Sequence, residues 1–204
     1  MSTDSSTSGY ASEVDIFFIR YAARDAAAVH APWVAFFPPA PARVLDIGAG
    51  TGRDAAWLAS LGHSVLAVEP VDELRTRAAT LHPEPEITWL ADILPDLAET
   101  RARGERFDMI LMHAVWMHLT EAERIAGMAH VASLMKRCAR LFMSLRHGPV
   151  PKGRRMFDVT GEETIALAKQ NGLTNLFHDC ALSIQAGNRK AGIEWTKLVF
   201  EKTE

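Results

Sequence analysis

Glycine stands at positions 48, 50 and 52, directly after the apolar run Val44-Leu45-Asp46-Ile47. An apolar run bounded by glycine reads as a buried strand, and Asp54 to Gly62 reads as a helix that stops at glycine. Strand, glycine turn and helix bring backbone close to a ligand at a helix N-terminus. A side chain at Gly48 or Gly50 would stand where that ligand must sit. A second acid, Glu69, ends the next apolar run, Ser64 to Val68. It lies about 20 residues past the turn, where a carboxylate accepts hydrogen bonds from ribose hydroxyls. On this reading its removal weakens the ligand and leaves the fold alone.

Two ligand classes use such a turn. The dinucleotide pattern is G-x-G-x-x-G/A, and here its last position is Arg53, too large for the close helix–strand packing a small residue permits. The stretch Leu45 to Gly52, L-D-I-G-A-G-T-G after a strand, resembles the first motif of class I S-adenosylmethionine-dependent methyltransferases. The resemblance covers about residues 40 to 201, from the order of the elements. It implies S-adenosyl-L-methionine as cofactor, with Asp46, Gly48, Ala49 and Gly50 at the turn and Glu69 and Pro70 at the ribose. It further implies Asp92 as acceptor for the adenine amine, Ile93 as backbone amide and apolar flank, and Met112 and His113 beside the methionine part. A segment before the first strand should cover the cofactor, which makes Arg20, Tyr21 and Arg24 candidates for the methionine carboxylate or the acceptor.

The elements that must position these residues follow from pattern. Val44–Ile47, Ser64–Val68, Ile87–Ala91, Met109–Met112 and Ala139–Leu145 read as buried strands, with helices between them at Asp54–Gly62, Val71–Leu81 and Glu121–Arg137. A helix from Ala22 to Phe37 should end at Pro38 and Pro39, and Thr160 with Glu163 reads as a capping box opening another. Leu173–Ala186 and Ile193–Glu201 read as two closing strands around Gly187-Asn188. The expected fold is α/β: a doubly wound, mostly parallel seven-stranded sheet with a C-terminal antiparallel hairpin, Rossmann-like. Residues 1–12 are assigned to a disordered, serine-rich tail and 13–204 to one domain, with 13–38 as N-terminal lid helices.

At 204 residues, with 48% hydrophobic and 23% charged residues, the chain has globular composition. A net charge of -3 argues against nucleic acid as partner. Cys138 and Cys180 have no metal-type spacing and are expected to be small buried side chains. No metal is implied. No apolar run is long enough to span a bilayer, and no basic-then-apolar leader is visible, so the expected location is cytoplasmic.

Methyl transfer from a sulfonium asks chiefly for alignment, and a base helps where the acceptor must lose a proton. His113, His118 and His147 are the candidates. Trp116, Arg146 and His147 are the candidates for acceptor contact. The basic run Arg146, Lys152, Arg154 and Arg155 near a strand end suits an anionic acceptor. With no attached recognition module, a small-molecule acceptor, methylated on oxygen or nitrogen, is the reading preferred over nucleic acid or protein. A module that holds S-adenosylmethionine or a nucleoside without transferring methyl is the alternative from another class, and a nicotinamide oxidoreductase is the third.

Overall fold

A computed structural model describes residues 6–7, 10, 14–22 and 24–203, apart from the side chains of Ile16, Phe17 and Arg20. Five strands run parallel: β1 (Arg43–Ile47), β2 (Ser64–Val68), β3 (Ile87–Leu90), β4 (Phe107–His113) and β5 (Met135–His147). β6 (Leu173–Leu182) forms one edge, and β7 (Glu194–Lys202) inserts antiparallel between it and β5. The spatial order is 3-2-1-4-5-7-6. After an exposed first residue, β1 and β2 are buried throughout. That is why they appear as continuous apolar runs: strands covered on both faces do not alternate. The order reverses at β1/β4, where a doubly wound sheet opens its ligand crevice at the carboxyl ends. The fold is the α/β sheet with an antiparallel C-terminal pair that the sequence predicts.

Eight helices are described. α1 (Val14–Tyr21) and α2 (Ala26–His30) precede the sheet, and α3 (Arg53–Ser60), α4 (Asp72–Leu81), α5 (Ala98–Ala102), α6 (Glu121–Leu134), α7 (Gly161–Gln170) and α8 (Ala186–Lys190) connect it. One face of the sheet packs Val44, Met109, Leu111, Phe142 and Val199 against α3 and Trp33. The other packs Leu45, Ile110, Leu141 and Leu198 against α6 and α7. A third cluster joins Phe18 of α1 to Val71, Leu74 and Ala78 along α4.

Five sequence expectations change, one of them in the closing pair, where β6 ends at Leu182 and Ala186–Lys190 form α8 in place of the expected strand end and short turn. The predicted helix 22–37 is broken. Asp25 starts α2 by accepting the Ala27 N–H at 3.0 Å, and Pro32, with no N–H to donate, prevents continuation beyond the next turn. α6 stops at Leu134 because Met135 already pairs with Phe107. The reciprocal capping box is at Thr120 and Glu123; Thr160 only accepts the Glu163 N–H, at 3.0 Å. Cys138 and Cys180 are both exposed, since Cys138 sits at a left-handed kink (φ 61°) in β5 and Cys180 on the edge strand.

Candidate functional site

A cavity of about 420 Å³ opens at the carboxyl ends of the parallel strands. The glycine turn forms part of its floor. Gly48, Gly50 and Gly52 all have positive φ, at 74°, 56° and 78°. The turn's amides are engaged within the protein. Gly48 and Ala49 N–H donate to the Val68 carbonyl (2.8 and 3.0 Å), and Gly52 N–H donates to that of Ala49 (2.9 Å). Gly50 N–H donates to Glu69 Oε2 at 2.8 Å. A Cβ on Gly48 would lie 2.6 Å from Val115 Cγ2, so glycine is required there by the protein's own packing as well as by any ligand.

Glu69 is buried at 5% exposure. Its other oxygen accepts the Val71 N–H at 2.9 Å. Burial pushes its carboxyl up, against the pull of those two amides and Arg75. Each oxygen keeps a lone pair, so Glu69 could still receive ribose hydroxyls, but it also ties the turn to the loop after β2. Pro70, Ile93 and Asp92 line the same end of the cavity. Asp92 accepts from Ile93 N–H on one oxygen (2.9 Å). Its other oxygen takes both Thr100 N–H and Thr100 Oγ1 (2.7 Å each). The first oxygen is thus the one with capacity for an exocyclic amine, and the second serves the start of α5.

Beneath the turn lies a buried charged cluster that sequence reasoning missed. His30 is fully buried. Its Nδ1 accepts from Trp33 Nε1–H at 2.9 Å, so Nε2 carries the proton it shares with Asp54 Oδ1 at 3.0 Å. Arg53 grips the same carboxylate with Nε (2.8 Å) and Nη2 (2.6 Å). Burial alone would raise the Asp54 carboxyl, but His30 and Arg53 hold it far below the usual range. Asp46 goes the other way: burial first, then the Asp54 charge, push its carboxyl well up. Asp46 does not line the cavity; it is 2% exposed in β1, and its Oδ2 has no partner among the described residues. An acid in the first turn after a glycine motif was visible in the sequence; its partner on α2, 24 residues earlier, was not.

The far wall is one face of β4, β5 and β7. His113, Arg146, Trp195 and Lys197 line the cavity there. Ser144 accepts from Ala114 N–H at 2.9 Å and stands 2.9 Å from His113 Nδ1. With no other acceptor for the Ser144 hydroxyl among the described residues, donation to Nδ1 is the arrangement that uses its proton, and the His113 proton is then assigned to Nε2. Burial lowers the His113 pKa to about 3. The Trp195 indole lies parallel to the His113 ring, centroids 5.7 Å apart. Period-two alternation removes two predicted residues. Met112 is fully buried in the opposite face. His147 turns away from the cavity and meets Thr196 Oγ1 at 2.8 Å. Trp116 is also corrected: it is fully buried in the core against Gly127 of α6, because the chain turns inward in a 3₁₀ turn directly after β4.

The cavity roof comes from the N-terminus and the loop after β5. Tyr21 and Arg24 line it, with the Arg24 guanidinium 4.2 Å from the Tyr21 ring centroid. The Arg20 side chain lies outside the described residues. Tyr10, assigned from composition to the tail, is placed inside. His118 Nδ1 donates to the Arg155 carbonyl at 2.6 Å, so its Nε2 is the acceptor for the Tyr10 hydroxyl at 3.0 Å. Burial first, then Arg154, Arg155 and Arg146, lower the His118 pKa, opposed by that carbonyl. Burial raises Tyr10 to about 12 although Arg154 stands 3.5 Å over its ring. Of the basic run, Arg146 and Arg154 line the cavity, Arg155 pairs with Glu123, and Lys152 is exposed.

Comparison with known proteins agrees with this geometry. A family model described as a methyltransferase domain matches residues 44–137. A comparison with curated proteins finds no match. Among solved structures, 1,6-didemethyltoxoflavin-N1-methyltransferase of Burkholderia thailandensis, with 1,6-didemethyltoxoflavin and S-adenosylhomocysteine bound, superposes with a TM-score of 0.71 at 25% identity, over 96% of this chain and 84% of that one. A TehB-like S-adenosylmethionine-dependent methyltransferase of Corynebacterium glutamicum gives 0.69 at 21% identity, over 94% and 99%. Magnesium protoporphyrin IX methyltransferase of Synechocystis, with S-adenosylmethionine bound, gives 0.66 at 20%, over 96% and 80%.

Proposed function

We infer that the chain is a class I S-adenosylmethionine-dependent methyltransferase, a reading supported by the methyltransferase-domain match and the structural neighbours, and that it methylates an oxygen or nitrogen of a small-molecule acceptor held against the β4–β5–β7 face. The observation that carries this is the cavity itself. One volume of about 420 Å³ joins Glu69 and the glycine turn to Tyr10, His113 and Arg146, and its size is that of a small-molecule site. Glu69, Asp92 and the turn form a cradle suited to an adenosine with a free ribose diol. Bound there, S-adenosylmethionine supplies a methyl carbon on a positively charged sulfur. The first-named structural neighbour carries a small heterocycle together with S-adenosylhomocysteine, which supports the same division of the cavity here.

Tyr10 and His118 are assigned the acceptor's proton. Neutral His118 presents Nε2 to the Tyr10 hydroxyl, and its Nδ1–H is fixed on the Arg155 carbonyl. The acceptor proton passes to the Tyr10 oxygen as the Tyr10 proton passes to Nε2. His113 is set aside as base, since a pKa of about 3 leaves it little affinity for a proton; it serves as a neutral N–H donor. His147 is set aside because it lies outside the cavity.

The test has two stages. Calorimetry should show S-adenosylhomocysteine binding and NAD not binding. Methyl-labelled S-adenosylmethionine should then pass label to members of a panel of small aromatic alcohols and amines, with none passing to RNA or denatured protein. Tyr10→Phe should lower kcat while leaving S-adenosylhomocysteine affinity within about threefold, roughly 0.6 kcal/mol. Label in the RNA or protein fraction overturns the small-molecule reading, and binding without transfer to any acceptor favours a non-catalytic module.

A further inference from the structure

Among the described residues, Arg24, Arg146, Arg154, Lys197 and Asp179 line the cavity together with the acids of its cofactor end. The acids Asp54, Glu69 and Asp92 belong to the turn and the adenosine end, where each is already engaged by the protein. Lys197 is partly used, since its ammonium donates to the Val29 carbonyl at 2.7 Å.

Arg146 is the informative cation. Its Nη1 is buried and has no hydrogen-bond partner among the described residues. Burial lowers its pKa, and among the described residues the titratable groups acting on it are the hydroxyls of Tyr21 and Tyr10, with no carboxylate among them. A buried guanidinium N–H without an acceptor is costly, and a charged acceptor relieves that cost most. Arg146 pairs with Trp195 across β5 and β7, so guanidinium and indole leave the sheet side by side. The indole stacks on His113, within 9° of parallel, so the ring is held flat next to the cation. Tyr10 and Tyr21 line the same cavity and lie close enough to act on Arg146.

Resting on the methyltransferase reading, we propose that the acceptor is a planar aromatic or heteroaromatic ring carrying an anionic substituent, which Arg146 Nη1 binds while the ring lies along Trp195. The reacting hydroxyl or amine is a separate group on the ring, directed toward Tyr10. The anionic group is a carboxylate or an ionised ring oxygen; both are planar acceptors for a guanidinium edge.

Four compounds separate these features: 3-hydroxy-2-naphthoate (carboxylate), 2-hydroxy-1,4-naphthoquinone (ionised ring oxygen), 3-hydroxy-2-naphthamide (flat and neutral) and cyclohexanecarboxylate (anionic, not flat). Each is titrated by calorimetry into the protein with and without saturating S-adenosylhomocysteine. At least one flat anion should bind ten-fold or more tighter than both the amide and cyclohexanecarboxylate, and the better of the two flat anions identifies the anionic group. Arg146→Gln should erase the preference for anion over amide, with thermal melting confirming that the variant is folded. An amide that binds as tightly as the anions, a preference that survives Arg146→Gln, or no binding by any of the four overturns the proposal. Failure of S-adenosylhomocysteine to bind would instead strike the methyltransferase reading, and the titrations without it still decide the question of the anion.

Discussion

Replacing Glu69 by alanine should damage both the fold and the cofactor site, in separable amounts. In the protein without ligand the carboxylate accepts Gly50 N–H at 2.8 Å and Val71 N–H at 2.9 Å, at 5% exposure. Each buried donor left unsatisfied costs about 1–3 kcal/mol. The pair gives about 2–6 kcal/mol, with the lower end expected because the cavity admits water to Gly50. Glu69→Gln keeps one carbonyl oxygen and turns an NH₂ toward the second amide, so it should cost about half as much. The sequence reading, in which Glu69 acts on ribose alone, expects no change in the ligand-free melting temperature. Urea denaturation of the ligand-free variants measures the first quantity, and S-adenosylhomocysteine calorimetry measures the second, with at least a tenfold loss expected for both variants. If Glu69→Ala unfolds at the wild-type urea concentration, the two amide bonds do not hold the turn. If stability falls while affinity holds, Glu69 is a loop tie and the ribose assignment is wrong.

Gly48→Ala should destabilise by about 1–2 kcal/mol from its left-handed φ of 74°, plus the contact with Val115; Val115→Ala should recover the second part only, and full recovery or none in denaturation would contradict the geometry. Asp54→Ala leaves buried Arg53 and the His30 Nε2–H unpaired and should cost about 3–5 kcal/mol, with faster hydrogen exchange across α2; a loss below about 1 kcal/mol would remove the cluster as an anchor. Because the His118 pKa is lowered, the imidazole stays neutral above its ordinary value of about 6.5. The acid limb of kcat/KM should therefore lie below pH 6.5 and vanish in His118→Gln; a limb centred above pH 7 excludes His118 as the base.

How much of this was readable depends on which physical rule sets each residue. The strands β1, β2 and β4 were legible because burial on both faces leaves a nearly uninterrupted apolar run, and the acids Glu69 and Asp92 because they follow directly where a strand run ends and the crevice begins. The side that a residue faces was less legible. Met112 and His147 were assigned to the site together with His113 and Arg146, and each is one residue out of phase with that neighbour, which alone of the two lines the cavity. The parity of β4 and β5 is set by their pairing, with His113 opposite Ser144 and Arg146 opposite Trp195. That pairing is tertiary information, and a one-residue shift moves every side chain to the other face.

The N-terminal region exposes a different limit. The composition argument for its first residues weighs only their own apolar surface, and so treats the segment alone. Tyr10 is held by groups far along the chain: the His118 imidazole 108 positions away, and the Arg154 guanidinium over its ring. The same holds for α2, too short to be stable alone at five residues. It is fixed by His30 on Asp54 and by the Val29 carbonyl on Lys197 of β7. These contacts join the segment before the sheet to the helix after the glycine turn and to the wall where the acceptor is assigned. Whatever seats in the cavity therefore presses on elements that close the roof. The roof's stability and the ligand's affinity are then linked by mass action: a ligand that favours the closed arrangement stabilises α2, and a variant that loosens α2 weakens the ligand by the same free energy.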